Sequence, residues 1–283
     1  MLLTSCEFLF GGYGLDEFFS HGESVHDRAD SITHVAGPAS VQTLPNDYTV
    51  IVLTDIHFGY KDGFGRAIDH DDLDNTFFNW LDNYIASHEK PAFCICLGDV
   101  VQHGWESEFQ EYVAFCTKLS AKLTTTGANL VYTVLGNHDV YNSGWNNYTK
   151  YVFPTSFYRF DTNTFHWYFL DTASGSMGTE QMEAFSRALA ADSSAPKIIC
   201  THYPVYADGQ IYYVLQNTYE RDKLITILAK RNTKFYMAGH SHQFHHFNFG
   251  DFEELNVPTY LEGHWALVTI HESSASVSYS IVP

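Results

Sequence analysis

Five short apolar runs in this 283-residue chain each stop at a carboxylate, amide or imidazole side chain. Val50–Leu53 leads into Asp55-Ile56-His57, and Phe93–Leu97 into Gly98-Asp99. Val131–Leu135 leads into Gly136-Asn137-His138-Asp139, Ile198–Cys200 into His202, and Phe235–Met237 into Gly239-His240-Ser241-His242. Runs this short, rich in β-branched and aromatic residues and bounded by glycine and polar residues, read as buried strands. In open α/β sheets the C-terminal strand ends line the ligand crevice, so these side chains are expected to meet in one crevice.

The rest of the chain from Tyr48 onward supports an α/β fold. Helical spacing of apolar residues predicts helices over Asp71–Ser87, Glu106–Leu123, Gly178–Ala190 and Leu215–Lys230. Strands are expected at Tyr48–Thr54, Ala92–Leu97, Leu130–Leu135, Lys197–Cys200 and Lys234–Met237. Phe157–Phe160 and Phe165–Leu170 flank Thr162-Asn163 as a hairpin, and short strands follow Gln243 up to Val282. Alternating strands and helices imply right-handed crossovers and a mostly parallel central sheet, with the hairpin and C-terminal strands forming a second. Residues 1–46 carry Gly, Ser, His and Asp without periodicity. They are expected to be a leader or extension with little regular structure, ahead of one domain at 47–283.

Composition narrows the function classes. With 15 basic against 33 acidic residues the formal charge is −18, which disfavours nucleic-acid partners and calls for local positive charge wherever an anion must bind. Cys94, Cys96 and Cys200 lie in apolar strand runs and read as small core hydrophobes. No apolar run is long enough for a transmembrane helix. Leu3-Thr4-Ser5-Cys6 matches the end of a bacterial lipoprotein signal, but only five residues precede Cys6. Either Cys6 carries a lipid anchor on an extracytoplasmic protein, or the match is chance and the protein is cytoplasmic.

Carboxylate, imidazole and amide oxygen together suit Zn, Fe or Mn better than Ca or Mg alone. On an extended backbone, Asp55-x-His57 and His240-x-His242 would each aim two donors the same way. Each motif alone has a bland reading: a surface pair, a turn, a capped loop or a hydrogen-bonded rim histidine. Five of them, each at a strand end, point to one metal-binding crevice.

These residues resemble the calcineurin-like metallophosphoesterases, whose pattern is Asp-x-His, Gly-Asp, Gly-Asn-His-Asp/Glu, His, then Gly-His-x-His. Leu170-Asp171, a following glycine and Glu180-Gln181 are similar to the cyclic-nucleotide-phosphodiesterase-like branch, which is related to the purple acid phosphatases. The resemblance implies a four-layer α/β/β/α sandwich with two mixed sheets. It implies two divalent or trivalent ions, Mn, Fe or Zn. Asp55, His57, Asp99 and His242 would hold the first, and Asp99, Asn137, His202 and His240 the second, with Asp99 bridging. His138 would contact a phosphate oxygen or protonate the leaving group, and Asp139 would orient His138. Gln102 stands where purple acid phosphatases place a tyrosine ligand, and the arginines of protein phosphatases have no match.

The implied activity is hydrolysis of a phosphodiester or phosphomonoester of a small molecule by metal-activated hydroxide. The alternative is a catalytically silent metal-binding scaffold of the same fold. Two segments are expected to wall the cleft: Gly59–Asp69, and Tyr203–Tyr219 with its five tyrosines. The tyrosine segment is either a packing loop or a stacking platform. His245-His246 read as strand residues rather than further ligands.

Overall fold

Along the chain, strand and helix alternate. The computed structural model describes residues 25–61, 68, 70–192 and 194–283. Cys6, the first part of the N-terminal extension and most of Gly59–Asp69 lie outside the described residues. In order come α1 (Val25–Arg28), β1 (Thr33–His34), β2 (Asp47–Leu53), α2 (His70–Ile85), β3 (Phe93–Cys96), α3 (Glu106–Leu123) and β4 (Val131–Thr133). Then come α4 (Gly144–Tyr151), β5 (Tyr158–Asp161), β6 (His166–Phe169), α5 (Thr179–Ala191), β7 (Lys197–Cys200), α6 (Thr218–Lys230) and β8 (Thr233–Ala238). Four strands finish the chain: β9 (His245–Asn248), β10 (Glu253–Asn256), β11 (Trp265–His271) and β12 (Ser276–Val282).

The strands form two mixed sheets. One has the order β12-β11-β2-β3-β4, with β2, β3 and β4 parallel and β11 antiparallel to both its neighbours. The other has the order β1-β5-β6-β7-β8-β10-β9, with antiparallel pairs only at β5/β6 and β9/β10. Side chains on the central strands alternate between two cores, as the pleat requires. Ile198, Cys200, Phe235 and Met237 join one cluster with β2, β3 and β4, which places them between the sheets. Their neighbours Ile199 and Tyr236 join a second cluster with Met182, Phe185 and Leu189 of α5 and Leu224 and Leu228 of α6. Phe77 and Leu81 of α2 and Phe109, Tyr112, Phe115 and Leu119 of α3 cover the five-stranded sheet, and this completes the four layers. Cys94, Cys96 and Cys200 are buried thiols in these cores.

Two expectations change. The last predicted helix starts at Thr218, not Leu215. Leu215 N–H is taken by the Pro204 carbonyl, and the Asn217 side chain caps the helix by accepting from Glu220 N–H. The extension is also more ordered than its composition suggests. From Val25 onward it carries α1 and β1, and β1 pairs in parallel with β5. Arg28 is buried and holds Asp171 through two bonds, Nε to Oδ2 at 2.9 Å and Nη2 to Oδ1 at 3.1 Å. One ion pair and a few apolar contacts leave no periodicity for a sequence pattern to register.

Candidate metal centre

The polar residues that end the five runs do meet. The loops after β2, β3 and β4 come from one sheet and those after β7 and β8 from the other, and main-chain bonds lace them together. Asp55 N–H donates to Gly98 O at 3.1 Å, His57 N–H to Asp99 O at 3.0 Å, and Gly239 N–H to His202 O at 3.0 Å. Across the seam between the sheets, His240 N–H donates to Asp55 Oδ2 at 3.0 Å. Gly239 cannot be replaced here, because a Cβ would lie 1.8 Å from Thr54 Oγ1. Gly98 sits at φ +92, where side chains strain the backbone.

The backbone at these residues is not extended. Asp55, His57, Asp99, His240 and His242 have φ between 50 and 67, in the left-handed region. The pairing of i with i+2 on one side of a strand therefore does not explain how Asp55 and His57, or His240 and His242, come together. Each strand ends and the chain turns sharply, with the donor itself at the turn. Such conformations cost about 1 kcal/mol or more apiece and persist where the surroundings enforce them, typically at functional sites.

The donor atoms form overlapping groups: Asp55, His57 and His242; His57, Asp99 and His138; and Asp99, His202 and His240, each within 4.8 Å. Asp55 Oδ2 is occupied by Thr54 Oγ1 and His240 N–H, while Oδ1 faces His242 Nε2 at 3.3 Å and His57 Nε2 at 3.9 Å. Asp99 divides its oxygens in the same way. Oδ1 accepts from His138 N–H at 2.8 Å, and Oδ2 lies 3.2 Å from His202 Nε2 and 3.8 Å from His57 Nε2. His57 Nε2 and His242 Nε2 are 3.4 Å apart. His202 donates its Nδ1 proton to Leu97 O at 2.7 Å, and its Nε2 then lies 3.1 Å from Asn137 Oδ1. Donors bound to one ion at about 2.0–2.2 Å lie roughly 2.8–3.6 Å from one another, so most of these separations are those of a shared coordination shell. Asp55 Oδ1 is buried and has no hydrogen-bond partner among the described residues, as a carboxylate oxygen kept for a cation would.

Electrostatics prepares the same groups. Burial drives His57 down to about 3, reinforced by His138, and drives His240 to about 3, reinforced by His202, so both rings are neutral donors. Burial opposes charge on His202 too, but Asp99, Asp55 and the Leu97 carbonyl outweigh it and lift the ring to about 9. Burial likewise works against charge on Asp55 and Asp99. His242 for the first and His202 for the second prevail, holding both carboxyls below the ordinary range. A proton or a metal ion on His202 Nε2 is what allows two oxygens to lie so close to it.

Asp139 does not have the expected partner. Its carboxylate accepts from Gly136 N–H at 2.8 Å and Val101 N–H at 3.0 Å, clamping the loops after β3 and β4 together. The His138 ring is instead oriented by the Gln102 carbonyl, which accepts from Nδ1 at 2.9 Å. Both oxygens of Asp139 are spent on the main chain, and burial, then the charge of Asp99, raises its carboxyl to about 7. Two threonines that the sequence did not single out, and Tyr203 of the expected tyrosine wall, complete the surroundings. Thr54 and Thr259 brace Asp55, the latter donating to its carbonyl at 2.9 Å, and the Tyr203 ring lies 3.8 Å from that of His240. A Thr beside a motif aspartate carries no distinguishing signal. His245 and His246 lie on β9, with His246 paired to Glu253 at 2.9 Å, outside the three donor groups.

The chain belongs to the calcineurin-like phosphoesterase family, whose profile matches residues 48–244. It is thus a metallophosphoesterase, a hydrolase acting on phosphate esters. Among curated proteins none matches it in sequence. A dimetal phosphatase from Danio rerio is similar in fold, with TM-score 0.61 and 14% identity over 80% of this chain and 93% of that one. GAP50, the anchor in the inner membrane complex of Plasmodium, gives 0.57 and 13% over 83% and 84%. A purple acid phosphatase from yellow lupin (Lupinus luteus) gives 0.57 and 13%, covering 87% of this chain and 52% of the lupin enzyme. Among the described residues no helix is long and apolar enough to cross a membrane.

Proposed function

We propose that the chain hydrolyses a phosphodiester or phosphomonoester of a small molecule at a two-ion centre. Asp55, His57, Asp99 and His242 would hold one ion, and Asp99, Asn137, His202 and His240 the other. The observation that carries this reading is Asp99 Oδ2, which faces His57 in one donor group and His202 in the other, as a bridging oxygen must. The donor mix of carboxylate, imidazole and amide suits Mn, Fe or Zn. When bound, such ions supply Lewis acidity and lower the pKa of a coordinated water.

The chain's own groups take the remaining roles. The Gln102 carbonyl engages Nδ1 of the His138 ring, which leaves Nε2 to give a proton to the leaving oxygen or bond to a phosphate oxygen. The His57 ring, edge-on at 4.8 Å between centroids, holds His138 against the centre. Asp139 keeps the loop carrying Asn137 and His138 attached to the one carrying Asp99.

The test is metal content by elemental analysis, together with hydrolysis of bis-p-nitrophenyl phosphate and p-nitrophenyl phosphate with Mn added. Two ions per chain and chelator-sensitive turnover are expected. A second reading, a metal-binding scaffold without catalysis, draws support from the fold's likeness to GAP50, an anchor protein. Two bound ions with turnover of neither ester would select it.

A further inference from the structure

Directly after His202 the chain runs into a loop whose tyrosines divide into two kinds. Tyr203 is buried against His240, and the Tyr206 ring packs at a tilt on Phe247, 4.2 Å between centroids. These two pack. At the loop's tip the pattern reverses: Ile211 is 63% exposed, Tyr212 82% and Tyr213 37%. Tyr213 nonetheless lies beside the donor groups, with its ring centre 6.2 Å from that of His240 and nearly edge-on.

The base under this tip is firmly built. The buried carboxylate of Glu254 accepts from Val205 N–H at 2.7 Å, from Tyr206 N–H at 3.1 Å and from Ala207 N–H at 2.9 Å. Leu215 N–H closes the loop on Pro204 O at 3.0 Å, and Gln216 N–H ties it to Gly175 O at 2.9 Å. Ala207 and Asp208 hold left-handed backbone within the turn. A loop pinned in this way shows its tip residues to solvent by construction, not for want of packing partners.

We propose that Tyr213, with Tyr212 beside it, forms a leaving-group subsite that stacks on a planar aromatic ring carried by the phosphate ester. This rests on the phosphoesterase reading above. One observation favours a flat ring over other leaving groups: the tip presents two phenol rings and a single branched aliphatic, Ile211, which suits face-to-face contact better than wrapping an alkyl chain. Stacking is tolerant of ring identity, so an aryl group and a nucleobase share this chemistry.

The test uses the Mn-loaded full chain and calorimetric titration with phenylphosphonate, methylphosphonate and adenosine 5′-monophosphate. The parent protein is expected to bind the phenyl compound about tenfold more tightly than the methyl compound. Tyr213→Ala is expected to lose most of that preference and Tyr213→Phe to retain it. Tyr219→Ala, which removes another exposed tyrosine, is expected to leave it intact. Adenosine monophosphate binding that weakens in Tyr213→Ala along with the phenyl compound identifies a base as an accepted ring; weakening of the phenyl compound alone restricts the subsite to aryl groups. Equal affinity for phenyl and methyl compounds in the parent, or an undiminished preference in Tyr213→Ala, would overturn the inference. Binding is read separately from turnover. Silence toward all esters with the preference intact removes the hydrolase reading and leaves the subsite standing.

Discussion

The imidazole of His138 is held by the main-chain carbonyl of Gln102, with Nδ1 to O at 2.9 Å. The acceptor belongs to the backbone of the loop after β3, the same loop that carries Asp99. The proposed proton donor and the proposed bridging carboxylate are thus fixed by one short stretch of chain.

His138→Ala should leave the metal content at the parent level and lower kcat by about 10²- to 10⁴-fold, the usual contribution of a positioned acid. Elemental analysis and steady-state kinetics on the same preparation would check both halves. Parent-like turnover in this variant would remove the role given to His138.

Asp99→Asn should empty both positions, because the shared oxygen loses its charge while shape is kept. The expected result is far less than one ion per chain, and a melting temperature no longer raised by added Mn. The parent, stripped by a chelator and dialysed, should melt below its metal-loaded form by the linkage of binding to folding. A variant that still binds one ion tightly would mean that Asp99 serves a single position.

Arg28 and Asp171 form a buried ion pair between the N-terminal segment and the loop after β6. Removing one partner strands the other charge in the core, which typically costs about 3–5 kcal/mol. Arg28→Met should therefore lower the melting temperature by about 10 °C. The double variant Arg28→Met, Asp171→Leu should recover much of the loss. If the single variant melts with the parent, the pair is not desolvated in solution.

Glu254 gives a pH signature. Burial raises its carboxyl above the ordinary glutamate value, against the pull of its three backbone donors. The folded state therefore keeps a proton that the unfolded chain releases, and this group's contribution to stability falls as pH rises from about 4.5 through the folded-state pKa. Relative to Glu254→Gln, the parent should gain in melting temperature as pH is lowered through that window. The same variant should speed amide exchange at Val205, Tyr206 and Ala207. A melting difference that is flat across the window would contradict the assignment.

The strands and the convergence of the polar residues at their ends were legible because both follow simple rules. Apolar runs bounded by glycine fold as buried strands, and their C-terminal ends collect ligands. Lys197–Cys200 and Glu106–Leu123 match the predicted bounds residue for residue. Missing from that reading was backbone handedness. Asp55 and His240 reach the centre from left-handed turns, and no residue pattern distinguishes such turns from extended chain. Asp139 was misread for a related reason. The family resemblance implied contact with His138, whereas the tight turn sends its carboxylate back to Gly136 and Val101. α4 escaped notice because it is short and carries few apolar residues.

The candidate ligands are split between the layers: Asp55, His57, Asp99 and Asn137 follow strands of the five-stranded sheet, while His202, His240 and His242 follow strands of the seven-stranded one. Ions held by both sets would act as rivets across the sandwich. Metal affinity then becomes a gauge of how well the interior fits. Trimming a side chain such as Phe169 or Met237, neither one a donor, would let the halves drift and be felt first as looser ion binding, well before the fold itself gives way.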